Sequence, residues 1–146
     1  MTWIPDNETC DYLPISANCP VRAIGWLEGD QPYPQGEAPV HVYEKLKALF
    51  QKPFEPVRAA GGHSCSLCHY ESEAEGCVNL LIPGKGCLFV CPELILHYMN
   101  AHRYMPPESF RAAVLECPDS SSMAYKKALV ACGLNLEGRD EPRGMA

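Results

Sequence analysis

The chain has no surplus of positive charge, no apolar run of membrane length and no long stretch free of proline or glycine. Twelve Lys and Arg stand against 18 Asp and Glu, a formal net charge of −6. Nucleic-acid binders usually carry a basic patch or stripe, so this balance argues against that class. Lys45, Lys47, Lys52, Arg103, Arg111, Lys126 and Lys127 are scattered along the sequence. No stretch approaches the roughly 20 apolar residues that span a bilayer, so no membrane segment is expected. Residues 1–8 contain neither a basic cluster nor an apolar run, so no secretory signal is expected there. Two signatures of catalytic zinc, H-E-x-x-H and the deaminase pattern H-x-E … P-C-x-x-C, are also missing.

What is present is cysteine. Nine cysteines without a signal for export point to a reducing cytoplasm and to metal binding rather than disulfides. Cys65 and Cys68 form C-x2-C, and His97 and His102 form H-x4-H further along. Two thiolates on a tight turn grip a metal from one side, and two imidazoles from a helix close the shell from the other. This is the ligand order of structural zinc sites, and the expected cofactor is one structural Zn²⁺ per chain. Gly61 and Gly62 precede the first thiol and give the turn backbone freedom.

Between the two ligand pairs, Val78–Ile82 and Cys87–Cys91 are β-prone. Pro83, Gly84, Lys85 and Gly86 form a turn signal between them, which predicts a hairpin. Pro92 suits the first position of a following helix, with Glu93 in its first turn and a stop before Pro106 and Pro107. Knuckle, hairpin and helix together resemble a ββα zinc unit over 61–105. On a regular helix His97 and His102 lie roughly 140° apart, so the helix must change geometry near its end if both are to reach one metal. Glu93, one turn before His97, is a rival ligand. His63, His69, Cys77, Cys87 and Cys91 are further substitutes for one of the four.

The remainder reads as support. Residues 1–38 form an irregular N-terminal segment interrupted by prolines, with a short strand within Val21–Leu27 and Trp26 as a core anchor. Residues 39–51 make an amphipathic helix with Val42, Leu46, Leu49 and Phe50 on its apolar stripe. Residues 106–133 form a helical C-terminal part: one helix over 107–117 with Phe110, Val114 and Cys117 on one face, and another over 121–132. Asp119 or a serine caps the second helix at its start and Gly133 at its end. Residues 134–146 are polar and read as a frayed tail. The expected fold is α+β: a single domain over 1–146, in which a zinc-bound knuckle–hairpin–helix unit packs on additional helices.

Competing chemistry is weaker. Cys65–His69 also spells C-x-x-C-H, the haem attachment pattern, but covalent haem goes with export. A redox C-x-x-C wants a helix at its first cysteine and a βαβ frame, and neither is evident. Cys91 ahead of a helix beginning at Pro92 would have its thiolate favoured by the helix dipole. Glu71, Glu73 and Glu75 could act as bases beside an open metal site, and His97, Asn100 and His102 faintly suggest a nuclease. No catalytic constellation is complete, so no catalytic residue is assigned.

Gly61-Gly62-His63-x-Cys65-x-x-Cys68 is followed by Asn79–Pro83. Then come Pro92-Glu93-Leu94-Ile95-Leu96-His97-Tyr98 and His102-x-Tyr104-x-Pro106-Pro107-x-x-Phe110. This combination resembles a family of small uncharacterised bacterial proteins, over most of residues 22–132. The resemblance implies a bacterial, cytoplasmic, single-domain protein and brings no activity with it. The leading expectation is therefore a zinc-stabilised protein-binding or adaptor module, for instance an acidic immunity-like protein facing a basic partner. A zinc-dependent hydrolase or nuclease is the first alternative, and a nucleic-acid-binding zinc finger the second.

Overall fold

A computed structural model describes residues 3–10, 17–54, 63–68, 75–76 and 78–134. Its centre is a three-stranded sheet of β1 (Val21–Ala23), β5 (Leu88–Pro92) and β4 (Asn79–Pro83), in that order. The hairpin signal folds as expected: β4 and β5 pair antiparallel, with Leu81 opposite Val90. The turn closes where the Gly84 N–H donates to the Cys87 carbonyl at 2.9 Å, and Gly86 supplies a positive φ of 72°. Leu80, Leu81, Ile82, Leu88, Phe89, Val90 and Cys91 are all buried, so the hairpin is covered on both faces. This explains its continuous apolar sequence in place of an alternating one.

The described residues include four helices, of which the last two contact β4. α1 (Val40–Leu49) buries Val42, Leu46 and Leu49 of the predicted stripe, while Phe50 is its half-buried C-cap, and it packs on α2 (Ile95–Ala101) and α3 (Glu108–Glu116). α3 buries Phe110 and Val114 against the sheet, with Phe110 edge-on to Phe89 at 5.5 Å between ring centroids. α4 (Met123–Ala131) starts at Ser122, whose side chain accepts from the Tyr125 N–H at 3.1 Å. It ends at Gly133, whose φ of +88° is the left-handed turn that glycine makes cheaply. The Tyr125 hydroxyl donates to the Leu81 carbonyl and ties α4 to β4. The architecture is α+β.

One reading of the sequence needs correction. Pro92 does not open a helix. It is the last residue of β5, opposite Asn79, and the Glu93 N–H continues the ladder to the Val78 carbonyl at 2.8 Å. Hydrogen bonding to the hairpin outcompetes the local preference of proline for a helix start, and α2 begins at Ile95. Residues 3–10 carry no helix or strand and are held to the sheet side by two isolated bridges. Ile4 bridges Trp26 and Thr9 bridges Arg22, both antiparallel. The strand itself, β1, pairs parallel to β5, so Val21 sits beside a residue far along the chain, Leu88.

Ser120, buried between α3 and α4, joins the helical part to α1. Its hydroxyl lies 3.0 Å from the Leu49 carbonyl and 2.9 Å from that of Lys52, sharing one proton between them. Ser120→Ala is expected to lower stability by about 1–2 kcal/mol, because two carbonyls lose their donor. Urea unfolding measures this, and an unchanged midpoint would show that the bond holds nothing.

Candidate metal centre

The knuckle Cys65–Cys68 follows β2 (His63–Ser64), which pairs antiparallel with β3 (Glu75–Gly76). It is seated on the loop after β1. The Ser66 hydroxyl accepts from the Gly29 N–H at 3.0 Å and donates to a Glu28 carboxylate oxygen at 3.1 Å. A Cβ at position 29 would collide with the Ser66 carbonyl oxygen, so this close approach requires glycine. Nothing in the spacing of Glu28 and Gly29 announces that role.

His97 lies within α2, and His102 has left it. His102 has φ −123° and ψ 12°, and Arg103 follows at φ +58° in the left-handed region. The helix end is closed by the Tyr98 carbonyl, which accepts from the N–H groups of both His102 (3.0 Å) and Tyr104 (3.1 Å). A strap over residues 33–36 holds this exit. The Tyr33 hydroxyl donates to the His102 carbonyl at 3.0 Å, the Gly36 N–H donates to the Arg103 carbonyl at 2.9 Å, and Gln35 bridges Tyr104. The 140° separation of a regular helix is thereby removed, and both imidazoles face the knuckle.

The structure brings Cys65, Cys68, His97 and His102 together, their ligand atoms all within 4.8 Å of one another. His102 Nε2 lies 3.4 Å from the sulfurs of both Cys65 and Cys68, and His97 Nε2 lies 3.4 Å from that of Cys68. The imidazole rings meet edge to face, 5.0 Å between centroids at 76°. These four residues could bind a metal ion. Burial pushes the Cys65 thiol above its ordinary value, with the Leu67 N–H opposing and the neighbouring Cys68 reinforcing. A metal must displace these protons, so binding would weaken as pH falls.

The rival residues are placed elsewhere or lie outside the description. The Glu93 side chain packs over the backbone of Gly76, with its Cβ 3.0 Å from where a Cβ of residue 76 would stand. Cys91 is buried in β5 and does not precede a helix, so the dipole argument for it lapses. Burial, with the charge of nearby Cys117 added, pushes its thiol strongly up. Cys87 gathers with Cys19, Cys132 and Arg22 at a cavity of about 1000 Å³ lined by the hairpin turn itself. His69, Cys77, Glu71 and Glu73 lie outside the described residues, as do the side chains of His63 and Glu75. No helix among the described residues is long and apolar enough to cross a membrane.

Fold and site together define a small α+β protein with a two-cysteine, two-histidine cluster able to hold a metal ion. The chain belongs to the family described as "Domain of unknown function (DUF7919)", which matches residues 2–115. No curated protein and no solved structure matches it.

Proposed function

We propose that this protein is a zinc-stabilised protein-binding module in which the metal is structural. One observation carries the reading: four protein atoms of the right type converge within 4.8 Å. Tetrahedral zinc with sulfur at about 2.3 Å and nitrogen at about 2.0–2.1 Å has S···N edges of about 3.6 Å. Three such edges are 3.4 Å here. Thiolate and imidazole donors are the set zinc prefers, and four of them leave no position for an activated water. The metal then fastens the knuckle, which follows β2, to the end of α2. A net charge of −6 favours a basic protein partner in the cytoplasm, as an immunity-like protein would have.

Elemental analysis and X-ray absorption on the full chain, purified without chelator, test this. One zinc per chain with two sulfur and two nitrogen neighbours is expected. His102→Ala should reduce zinc content and Glu93→Gln should not. A folded chain without zinc overturns the proposal, as does the opposite behaviour of those two variants for the ligand set. Three protein ligands plus an oxygen neighbour would favour the hydrolase. Co-purification of a stoichiometric basic protein, released by salt, supports the binding role; co-purified nucleic acid overturns it.

A further inference from the structure

We propose that Cys19 and Cys132 are a modification site, a pair of thiols that closes to a disulfide by exchange with a small disulfide admitted to the cavity at the hairpin turn. That cavity, of about 1000 Å³, is lined by Cys19 from the segment entering β1 and by Cys132 from the C-cap of α4. Two anchors bring these remote residues to one place. The Pro20 carbonyl, next to Cys19, accepts from the Leu88 N–H at 2.9 Å. The Cys132 Sγ lies 3.5 Å from the Cys87 carbonyl and 3.9 Å from that of Gly84. Both residues thus border the turn between β4 and β5. Their backbones also touch alongside: the Asn18 N–H donates to the Gly133 carbonyl at 3.2 Å, and a Cβ on Gly133 would stand 2.5 Å from the Asn18 Cβ. Cys19 and Cys132 are the residues next to that contact, one on each segment, and both line the same space. Disulfides join residues whose Cα atoms stand about 4.4–6.8 Å apart, a span within reach of residues flanking a backbone contact.

Cys19 and Cys132 are half-buried thiols, whereas Cys87 and Cys117, which line the same cavity, are buried. Access therefore favours the first two. An S–H is a weak donor, so its carbonyl contacts hold Cys132 only lightly. Burial, with neighbouring Cys19 adding to it, pushes the Cys132 thiol above its ordinary value, which suits it to the second step. In the first step the Cys19 thiolate attacks one sulfur of the small disulfide and expels the other half as a thiolate. Cys132 then gives up its proton, attacks the Cys19 sulfur and expels the second half. The protein thiols lose two electrons, the small disulfide gains them, and the two protons pass to the departing thiolates. In a reducing compartment the bond is transient. It fastens the end of α4, which packs on β4, to the segment entering β1.

The test holds the full chain, incubated with zinc, in glutathione buffers of rising oxidised-to-reduced ratio. Samples are quenched with an alkylating agent and mapped without reduction by mass spectrometry. The expected product is a linked Cys19–Cys132 peptide pair, reversed by excess reduced glutathione. The oxidised chain should melt about 10 °C higher than the reduced chain, because the bond closes a loop spanning most of the sequence. Cys132→Ser is expected to stop at the mixed disulfide, with one glutathione held on Cys19 and no rise in melting temperature. A chain that keeps both thiols at the most oxidising ratio overturns the proposal. So does pairing of Cys19 with Cys10 or Cys87, or a Cys19–Cys132 bond that appears only once urea has unfolded the chain. Bonds are assigned residue by residue on the wild type, so the result does not depend on the variant folding, and oxidation of Cys65 and Cys68 is counted apart.

Discussion

Cys68→Ser is expected to abolish zinc binding and to remove the stability that zinc contributes. Cys68 Sγ lies 3.4 Å from both His97 Nε2 and His102 Nε2, so it is the donor that links the two histidines. Serine offers a harder, weakly acidic oxygen that zinc at neutral pH does not select over thiolate. At free zinc about 1,000 times the dissociation constant, a ligand that binds only the folded state adds about 4 kcal/mol. The protein also has a hydrophobic core centred on the sheet, so the variant should lose stability without being unfolded outright. Denaturant unfolding at several zinc concentrations checks this. The wild-type midpoint should rise with zinc and collapse on chelation, and the variant midpoint should do neither. A Cys68→Ser midpoint that climbs with zinc as steeply as wild type would exclude Cys68 from the site.

Trp26→Ala should destabilise by a comparable amount through a different mechanism. The indole is fully buried, and its Nε1–H donates to the Val90 carbonyl at 3.0 Å, bonding the loop after β1 to β5. Truncating a buried tryptophan leaves a large cavity in close-packed surroundings, a loss of about 3–5 kcal/mol. Trp26→Phe should lose less, about 1–2 kcal/mol, because the Val90 carbonyl keeps the Ile24 N–H at 3.0 Å and is not left without a donor. This destabilisation should be equal in zinc and in chelator, which separates it from the Cys68→Ser effect. If Trp26→Ala and Trp26→Phe prove equally damaging, the cavity argument fails and the hydrogen bond dominates.

Some elements were legible because their physics is local. The turn at Gly84–Gly86, the helical stripe begun by Val42, Leu46 and Leu49, and a cap drawn from Asp119 or the serines after it each depend on residues within a few positions of one another. The two pairs of candidate ligands were legible for the same reason. Two-residue and four-residue spacings mark each pair as candidate ligands, although the four-residue pair must leave regular helix to share one metal.

Other features depend on partners distant in sequence. The strand ending at Pro92 is one, because the Glu93 N–H finds the Val78 carbonyl only after the hairpin has formed. The parallel pairing of Val21 with Leu88 is another, as is the gathering of Cys19, Cys87 and Cys132 at one cavity. The centre itself divides along the same line. The sequence by itself put forward Cys65, Cys68, His97 and His102, with Glu93 and several other histidines and cysteines of suitable chemistry as rivals. Tertiary structure decided that, among the described residues, these four come together. Tyr33, Gln35 and Gly36 hold the chain as it leaves α2, turning His102 off the helical path toward the knuckle, and Gly29 lets that knuckle seat. Such contacts join surfaces contributed by remote segments, and spacing along a chain carries no record of them.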